Sequence, residues 1–138
     1  MRVWGTMWPE GENDDYKGYF LTKSDIKQCC STGEFVGKPV KIEHKGGAIG
    51  KVESVWEHDG RMDCILDVNE SILEGAIAQK FVETGSCPEL SISYRANFHY
   101  SDSAKPGSKD WLEVSLVRKG ARDKCKIWAY DSKKRHLT

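Results

Sequence analysis

His44 and Ser91 are of residue types that together can activate a nucleophile. A serine hydroxyl is a weak nucleophile until a neighbouring base takes its proton, and histidine is the usual base because its pKa lies near neutrality. His44 ends an alternating apolar and polar stretch and precedes two glycines, which leave a ring accessible. Ser91 and Ser93 share one face of a second alternating stretch, where a solvent-facing polar stripe explains them without chemistry. The residues alone therefore define a candidate hydrolytic pair.

The cysteines offer an alternative nucleophile. There are five of them, and their odd number and irregular spacing do not predict a disulfide framework. No Cys-x-x-Cys pair occurs, so a structural zinc site is not expected, and no other metal or cofactor is implied. Cys29 and Cys30 are adjacent. A cysteine hydrolase that pairs one of them with His44 or His99 is an open alternative.

Length and charge indicate one soluble globular domain. The 138 residues suit a single hydrophobic core. Lys+Arg and Asp+Glu both number 21, and the resulting net charge of zero disfavours nucleic acid as a partner. No apolar run of about 18 residues predicts a membrane span, and the first residues lack the apolar core of a signal peptide. A non-catalytic β-barrel that binds a peptide or nucleic acid through Trp111, Trp128 and residues 133–135 is a second alternative.

Short alternating stretches predict a mainly β fold. Asp59-Gly60 is a good hairpin turn, because both residues tolerate the positive φ angles that such turns need. Strands at this spacing indicate a closed or half-closed antiparallel barrel. The predicted strands are residues 16–21, 39–43, 49–57, 62–68, 89–96, 111–118 and 125–130.

One segment has a strong helical pattern. Asn69 can cap a helix, apolar residues then recur at helical spacing, and Gly85 ends the run, which predicts the main helix over residues 70–84. Ser24 can cap a short helix over residues 25–30. Residues 1–15 are expected to form a loose lead-in, residues 16–130 a single domain, and residues 131–138 a basic tail.

Three blocks of the sequence resemble the catalytic blocks of a viral protease superfamily. Residues 37–52 (GKPVKIEHKGGAIGKV) are similar to a Pro-led strand that ends in a catalytic His, and residues 88–93 (PELSIS) to an apolar-Ser-Leu-Ser motif. Residues 113–127 (EVSLVRKGARDKCKI) are similar to the third block, and residues 16–21 to the opening strand. The blocks occur in the right order at compatible spacing. The chain thus resembles the herpesvirus assemblins and the tailed-phage prohead proteases.

The resemblance implies an assemblin-like β-barrel and a serine endopeptidase. It assigns Ser91 as the nucleophile and His44 as the base. Glu113 stands where herpesviral assemblins have a second His and phage enzymes tend to have an acid, and a carboxylate can orient an imidazole. Asp110 is the alternative third member. The matching oxyanion positions are Ala121, through its backbone N–H, and Arg122.

The resemblance also implies a biological setting. The expected substrates are the viral scaffold protein and capsid-interior proteins, with self-cleavage as a further reaction. The expected location is the procapsid interior within an infected cell. Homodimers are known in the family, but the sequence has no pattern for a C-terminal helix of the kind that herpesviral enzymes use to dimerise.

Overall fold

The computed structural model describes residues 1–8, 23–96, 109–120 and 124–131. Within these ranges the chain forms seven strands and two helices, which confirms the mainly β prediction. The predicted strand at 16–21 lies outside the described residues. The elements are β1 (Arg2–Trp8), α1 (Lys23–Thr32), β2 (Pro39–Ile42), β3 (Lys45–His58), β4 (Arg61–Val68), α2 (Leu73–Glu83), β5 (Glu89–Ala96), β6 (Lys109–Val117) and β7 (Ile127–Asp131).

The strands form one sheet in the order β5-β6-β2-β3-β4-β1-β7. The sheet curls until its two edges meet: the Leu90 N–H donates to the Cys125 carbonyl (2.8 Å), and the Ile127 N–H donates to the Pro88 carbonyl (2.9 Å). The result is the half-closed barrel that the strand spacing predicts. The antiparallel prediction needs one correction, because β2 and β6 pair in parallel. These two strands are distant in sequence, so no tight turn forces them antiparallel.

Arg2–Trp8 form an interior strand, so the prediction of a loose segment over residues 1–15 is wrong in this part. β1 pairs with β4 on one side and with β7 on the other, and Val3, Met7 and Trp8 are fully buried. Gly5 has a packing role here: a Cβ on it would lie 2.7 Å from Leu90 Cδ1. Glycine in this strand permits the close approach of β5 and does not mark a loop.

Both helices differ in extent from their predictions. α2 begins after Ile72 and not after Asn69. The Asn69 side chain instead accepts a hydrogen bond from the Ser71 N–H at 3.1 Å, in the turn before the helix. α1 covers ten residues and is longer than the predicted 25–30. It covers one side of the core with Ile26 and Cys29, which are fully buried.

Alternation along β5 and β6 separates the core from a polar outer face. The core takes every second residue of this strand pair, namely Leu90, Ile92, Val114 and Leu116. Successive side chains of a strand point to opposite faces. The polar residues that alternate with the core residues therefore face away from it: Ser91, Ser93, Glu113 and Ser115.

Candidate active site

His44 lies in a two-residue hairpin turn between β2 and β3. Ile42 pairs with Lys45 across the turn, and the two central residues have positive φ angles, 52° at Glu43 and 60° at His44. Hairpin turns of this kind favour Asn-Gly, because other residues pay about 1–2 kcal/mol each for a left-handed conformation. The sequence predicts that the strand after His44 begins at residue 49, whereas β3 in fact begins at Lys45.

Strand β6 and the residue that follows it hold this turn through three hydrogen bonds. The Glu43 N–H donates to the Leu116 carbonyl at 3.0 Å, and the His44 N–H donates to Ser115 Oγ at 3.0 Å. In return, the Arg118 N–H donates to Glu43 Oε1 at 2.6 Å. A strained backbone persists only where its surroundings over-determine it. These bonds therefore account for the position of the His44 imidazole over the outer face of the sheet.

The register of β5 and β6 places four polar residues in two rows. Ser91 pairs with Ser115, and Ser93 pairs with Glu113. Strand β6 lies between β5 and β2 in the sheet, so the hairpin that follows β2 reaches both rows from the far side of β6.

The structure brings Ser91, His44 and Glu113 together. His44 Nε2 lies 3.1 Å from Ser91 Oγ, and His44 Nδ1 lies 2.5 Å from Glu113 Oε1. Ser91 and Glu113 are buried, while the imidazole is 37% exposed. Ser91 and Glu113 are thus largely shielded from solvent, while part of the His44 imidazole is accessible to a ligand.

The hydrogen bonds define what this arrangement can do chemically. A carboxylate only accepts, so Nδ1 carries the proton that faces Glu113. In a neutral imidazole this leaves Nε2 as an acceptor facing Ser91 Oγ, which can donate its hydroxyl proton. The side chains therefore have the connectivity of a nucleophile, a base and an orienting acid.

Two further serines contact this chain of hydrogen bonds, and sequence reasoning did not assign them a role. Ser93 Oγ lies 2.9 Å from His44 Nδ1, beside the Glu113 carboxylate. Ser115 Oγ donates to Glu113 Oε2 at 2.6 Å. Each is two positions from a predicted site residue. Strand alternation could therefore have placed both on the same face as the site, although not in contact with His44.

Glu89 anchors the start of β5 two residues before Ser91. Its buried carboxylate accepts the Gly120 N–H at 2.8 Å and the Lys126 ammonium at 2.6 Å. Burial by itself raises the pKa of this carboxyl, but these hydrogen bonds and the nearby Lys126 and Lys119 charges outweigh burial and lower the pKa overall. The ionised Glu89 thereby fixes the residue that directly precedes Ala121.

Three predicted candidates lie where the structure gives no side-chain description. Ala121 and Arg122, the expected oxyanion residues, lie outside the described residues. Asp110 belongs to β6, but its side chain is likewise not described. Their roles stay predictions.

The cysteines predicted as alternative nucleophiles lie on α1. Cys29 is fully buried. Desolvation, followed by the charges of Glu57 and Asp63, raises the pKa of the Cys30 thiol to about 11. A thiol with this pKa is almost entirely protonated at neutral pH and is a poor nucleophile. The described partners of the His44 ring are Ser91, Ser93 and Glu113, so the structure does not bring these cysteines to His44.

The surface proposed for a binding module is only partly available. Trp111 is buried, its ring centroid lies 4.4 Å from that of Phe35, and its indole N–H donates to Glu34. Trp128 is exposed, whereas His99 and residues 133–135 lie outside the described residues. Trp111 is therefore a core residue and not a contact surface.

Within the described residues, no group of three or more His, Cys, Asp or Glu side chains is arranged to hold a metal ion. Neither described helix has the length and apolar character needed to cross a membrane.

Fold and site thus define the class of this protein: a curled, mainly β half-barrel with hydrogen-bonded Ser, His and Glu side chains on its outer face.

No protein-family profile and no curated protein sequence matches this polypeptide. Among solved structures, it is similar to the protease of Kaposi's sarcoma-associated herpesvirus (KSHV) in complex with a hexapeptide phosphonate inhibitor. That match has a TM-score of 0.62 and 14% identity, and covers 99% of this chain and 73% of the other.

Two further structures of the KSHV protease are similar. The complex with an allosteric inhibitor has a TM-score of 0.55 and 14% identity, over 99% of this chain and 88% of the other. The complex with a dimer disruptor has a TM-score of 0.50 and 14% identity, over 95% and 77%. The assemblin-like fold expected from the sequence is therefore confirmed.

Proposed function

We propose that this chain is a serine endopeptidase of the capsid-maturation type. The observation that carries the proposal is the continuous hydrogen-bonded chain from Ser91 Oγ through the His44 imidazole to Glu113. The fold likeness to a herpesvirus protease supports it independently, since the likeness covers nearly the whole chain.

The chemistry follows the connectivity of the three side chains. Ser91 Oγ attacks the scissile carbonyl carbon while His44 Nε2 takes the hydroxyl proton, and Glu113 stabilises the imidazolium that forms. The imidazolium then gives its proton to the departing amine, which leaves an acyl ester on Ser91. A water molecule, deprotonated by His44, hydrolyses the ester and restores the serine.

The oxyanion that forms during attack needs hydrogen-bond donors near Ser91. We assign this role to the Ala121 N–H and to Arg122. The bond from the Gly120 N–H to Glu89 supports the assignment, because it ties the residue before Ala121 to the strand that carries Ser91.

We further propose that the substrates are a viral scaffold protein and capsid-interior proteins, that the enzyme can cleave itself, and that it acts inside a procapsid. The likeness of fold to a herpesvirus protease and the three sequence blocks together support these assignments. Incubation with the scaffold protein of the same virus, followed by mass spectrometry of the fragments, tests this part. Cleavage of the scaffold at a small number of sites supports it, and an intact scaffold beside a labelled Ser91 contradicts it.

A homodimer is a separate proposal. One similar structure is a protease bound to a dimer disruptor, which motivates a measurement of molar mass by light scattering over a range of concentrations. A rise from 15.6 kDa to twice that mass supports a dimer. A constant monomer mass at high concentration rejects it.

The experiment that tests the catalytic assignment is covalent labelling with a fluorophosphonate probe. We expect one adduct on the peptide that contains Ser91, none in Ser91→Ala, and a retained adduct in Ser93→Ala, which controls for general serine reactivity. Absence of an adduct in the folded protein would favour a non-catalytic binding module.

The cysteine alternative is tested in the same assay. Because burial holds the Cys30 thiol protonated, alkylation with iodoacetamide at pH 7.5 should leave the Ser91 labelling rate unchanged. Loss of activity after alkylation, together with retained activity in Ser91→Ala, would instead assign the reaction to a cysteine.

A further inference from the structure

Ser115 is a buried hydroxyl that joins two members of the site. It is 0% exposed, and its Oγ contacts both Glu113 Oε2 at 2.6 Å and the His44 backbone nitrogen at 3.0 Å. No other described side chain bonds to both the acid and the main chain of the base.

The direction of both bonds follows from the groups involved. A backbone N–H only donates and an ionised carboxylate only accepts, so the Ser115 hydroxyl accepts from His44 and donates to Glu113. The donor bond is charge-assisted, and such bonds are about twice as strong as neutral ones. The Ser115 hydroxyl thus binds the second oxygen of the Glu113 carboxylate and also the backbone N–H of His44 in the strained turn.

We propose that Ser115 is a positioning residue that fixes the Glu113 carboxylate relative to the His44 imidazole; this inference rests on the proposed serine protease function. With Oε2 held by Ser115, Oε1 faces Nδ1. The same hydroxyl holds the main chain of His44, whose φ of 60° is unfavourable for a residue with a Cβ. Ser115 therefore orients the acid and the base at once.

Ser93 indicates what happens when this constraint is lost. Its hydroxyl lies 2.9 Å from Nδ1 and is the alternative acceptor for the Nδ1 proton. Without Ser115, Glu113 is free to rotate away and Ser93 can take its place. A neutral hydroxyl stabilises a developing imidazolium less than a carboxylate does. The reaction then slows, although the residues that would bind substrate are unchanged.

The test compares three substitutions of Ser115 by the second-order rate of fluorophosphonate labelling at Ser91. Ser115→Ala should lower this rate by roughly 10- to 100-fold, as expected for small misplacements of catalytic groups. Ser115→Thr keeps the hydroxyl and should recover most of the rate. Ser115→Cys keeps a side chain of similar size but replaces the hydroxyl with a thiol, which is a weak donor. This variant should therefore resemble Ser115→Ala. Ser54→Ala, which replaces a serine of β3 outside the described contacts of the site, is the matched control and should label like the wild type.

Proton NMR supplies a readout that a loss of stability would not produce. The His44 Nδ1 proton facing Glu113 should give a low-field resonance in the wild type, which Ser115→Ala should shift or broaden while the remaining spectrum stays folded. If Ser115→Ala does not fold, Ser115→Cys carries the comparison. A folded Ser115→Ala with wild-type labelling and an unchanged resonance would overturn the inference, as would Ser115→Thr that labels no faster than Ser115→Ala.

The two proposals fail in different ways. If the wild type is not labelled at Ser91, the protease assignment fails, whereas the NMR comparison still tests whether Ser115 orients Glu113. If the wild type is labelled, and Ser115→Ala matches the wild type in labelling and resonance or Ser115→Thr labels no faster than Ser115→Ala, only the positioning role is rejected.

Discussion

Ser91 and His44 are joined by a hydrogen bond of 3.1 Å, although β6 separates the strand and the hairpin that carry them. The imidazole lies across β6, where it also contacts Glu113, a residue of that strand. The geometry of the site therefore depends on two pairings of β6 at once, antiparallel with β5 and parallel with β2.

Removal of the acid should be the sharpest test of the proposed catalytic chain. Glu113→Gln keeps the shape of the side chain but its amide can also donate, which no longer enforces the Nδ1–H tautomer. We expect Ser91 labelling to fall by roughly 10⁴-fold, as for the equivalent change in a Ser–His–Asp triad. Asp110→Asn is the matched control and should label normally. The opposite result, with Asp110→Asn inactive and Glu113→Gln active, would assign the orienting role to Asp110.

The strained hairpin predicts an unusual ranking of substitutions at Glu43. Both Glu43→Asn and Glu43→Val lose the hydrogen bond from the Arg118 N–H. Asn tolerates the left-handed conformation at φ 52° and β-branched Val does not. Urea unfolding should therefore find Glu43→Val less stable than Glu43→Asn by about 1–2 kcal/mol. Equal stabilities would mean that the turn relaxes once its anchor is lost.

Closure of the half-barrel depends on the absence of a side chain at Gly5. In Gly5→Ala the new Cβ would lie 2.7 Å from Leu90 Cδ1 and 2.9 Å from the Lys126 carbonyl, so β1 must move away from β5 or β7. Overpacking of this kind typically costs about 1–3 kcal/mol in the free energy of unfolding. Gly47→Ala is the control, because nothing lies within 4 Å of the position that its Cβ would take. Similar losses in both variants would contradict the packing argument.

The carboxyl of Glu89 predicts a pH dependence of stability. Its pKa is lowered in the folded protein, where the Lys126 and Gly120 hydrogen bonds outweigh its burial. The ionised group therefore stabilises the fold above the unfolded-state pKa of about 4.3, and this contribution is lost as the pH falls through the lower folded pKa. The stability difference between the wild type and Glu89→Gln should be large at pH 7 and shrink towards pH 3, as measured by urea unfolding.

A surface pair provides the control for that measurement. Glu53 accepts a hydrogen bond from Arg2 at 3.2 Å in an exposed position. Exposed ion pairs contribute about 0–1 kcal/mol, so Glu53→Gln should change stability little at either pH. A difference for Glu89→Gln that stays constant from pH 7 to pH 3 would show that its charge does not contribute.

Much of the fold was predictable because alternation is a local signal. The periods of β4 and β5 appear directly in the sequence, and the predicted bounds match those strands to within one residue. β1 was not predicted for two reasons. A polar run follows it directly, and it contains Gly5, a residue type that by itself indicates a loop. Only the proximity of Leu90, distant in sequence, explains why a glycine stands there.

The sequence by itself predicted Ser91, His44 and Glu113 as candidate site residues and placed Ser91 and Ser93 on one face of their strand. The tertiary structure decided that β6 inserts between β5 and β2, that His44 adopts a left-handed turn, and that Ser115 bonds to both the acid and the base. The physical reason is range: side-chain periodicity reflects neighbours a few positions apart. The contacts that His44 makes with Ser91, Ser93, Glu113 and Ser115 join residues 47 to 71 positions apart, and only strand pairing between distant parts of the chain brings them together.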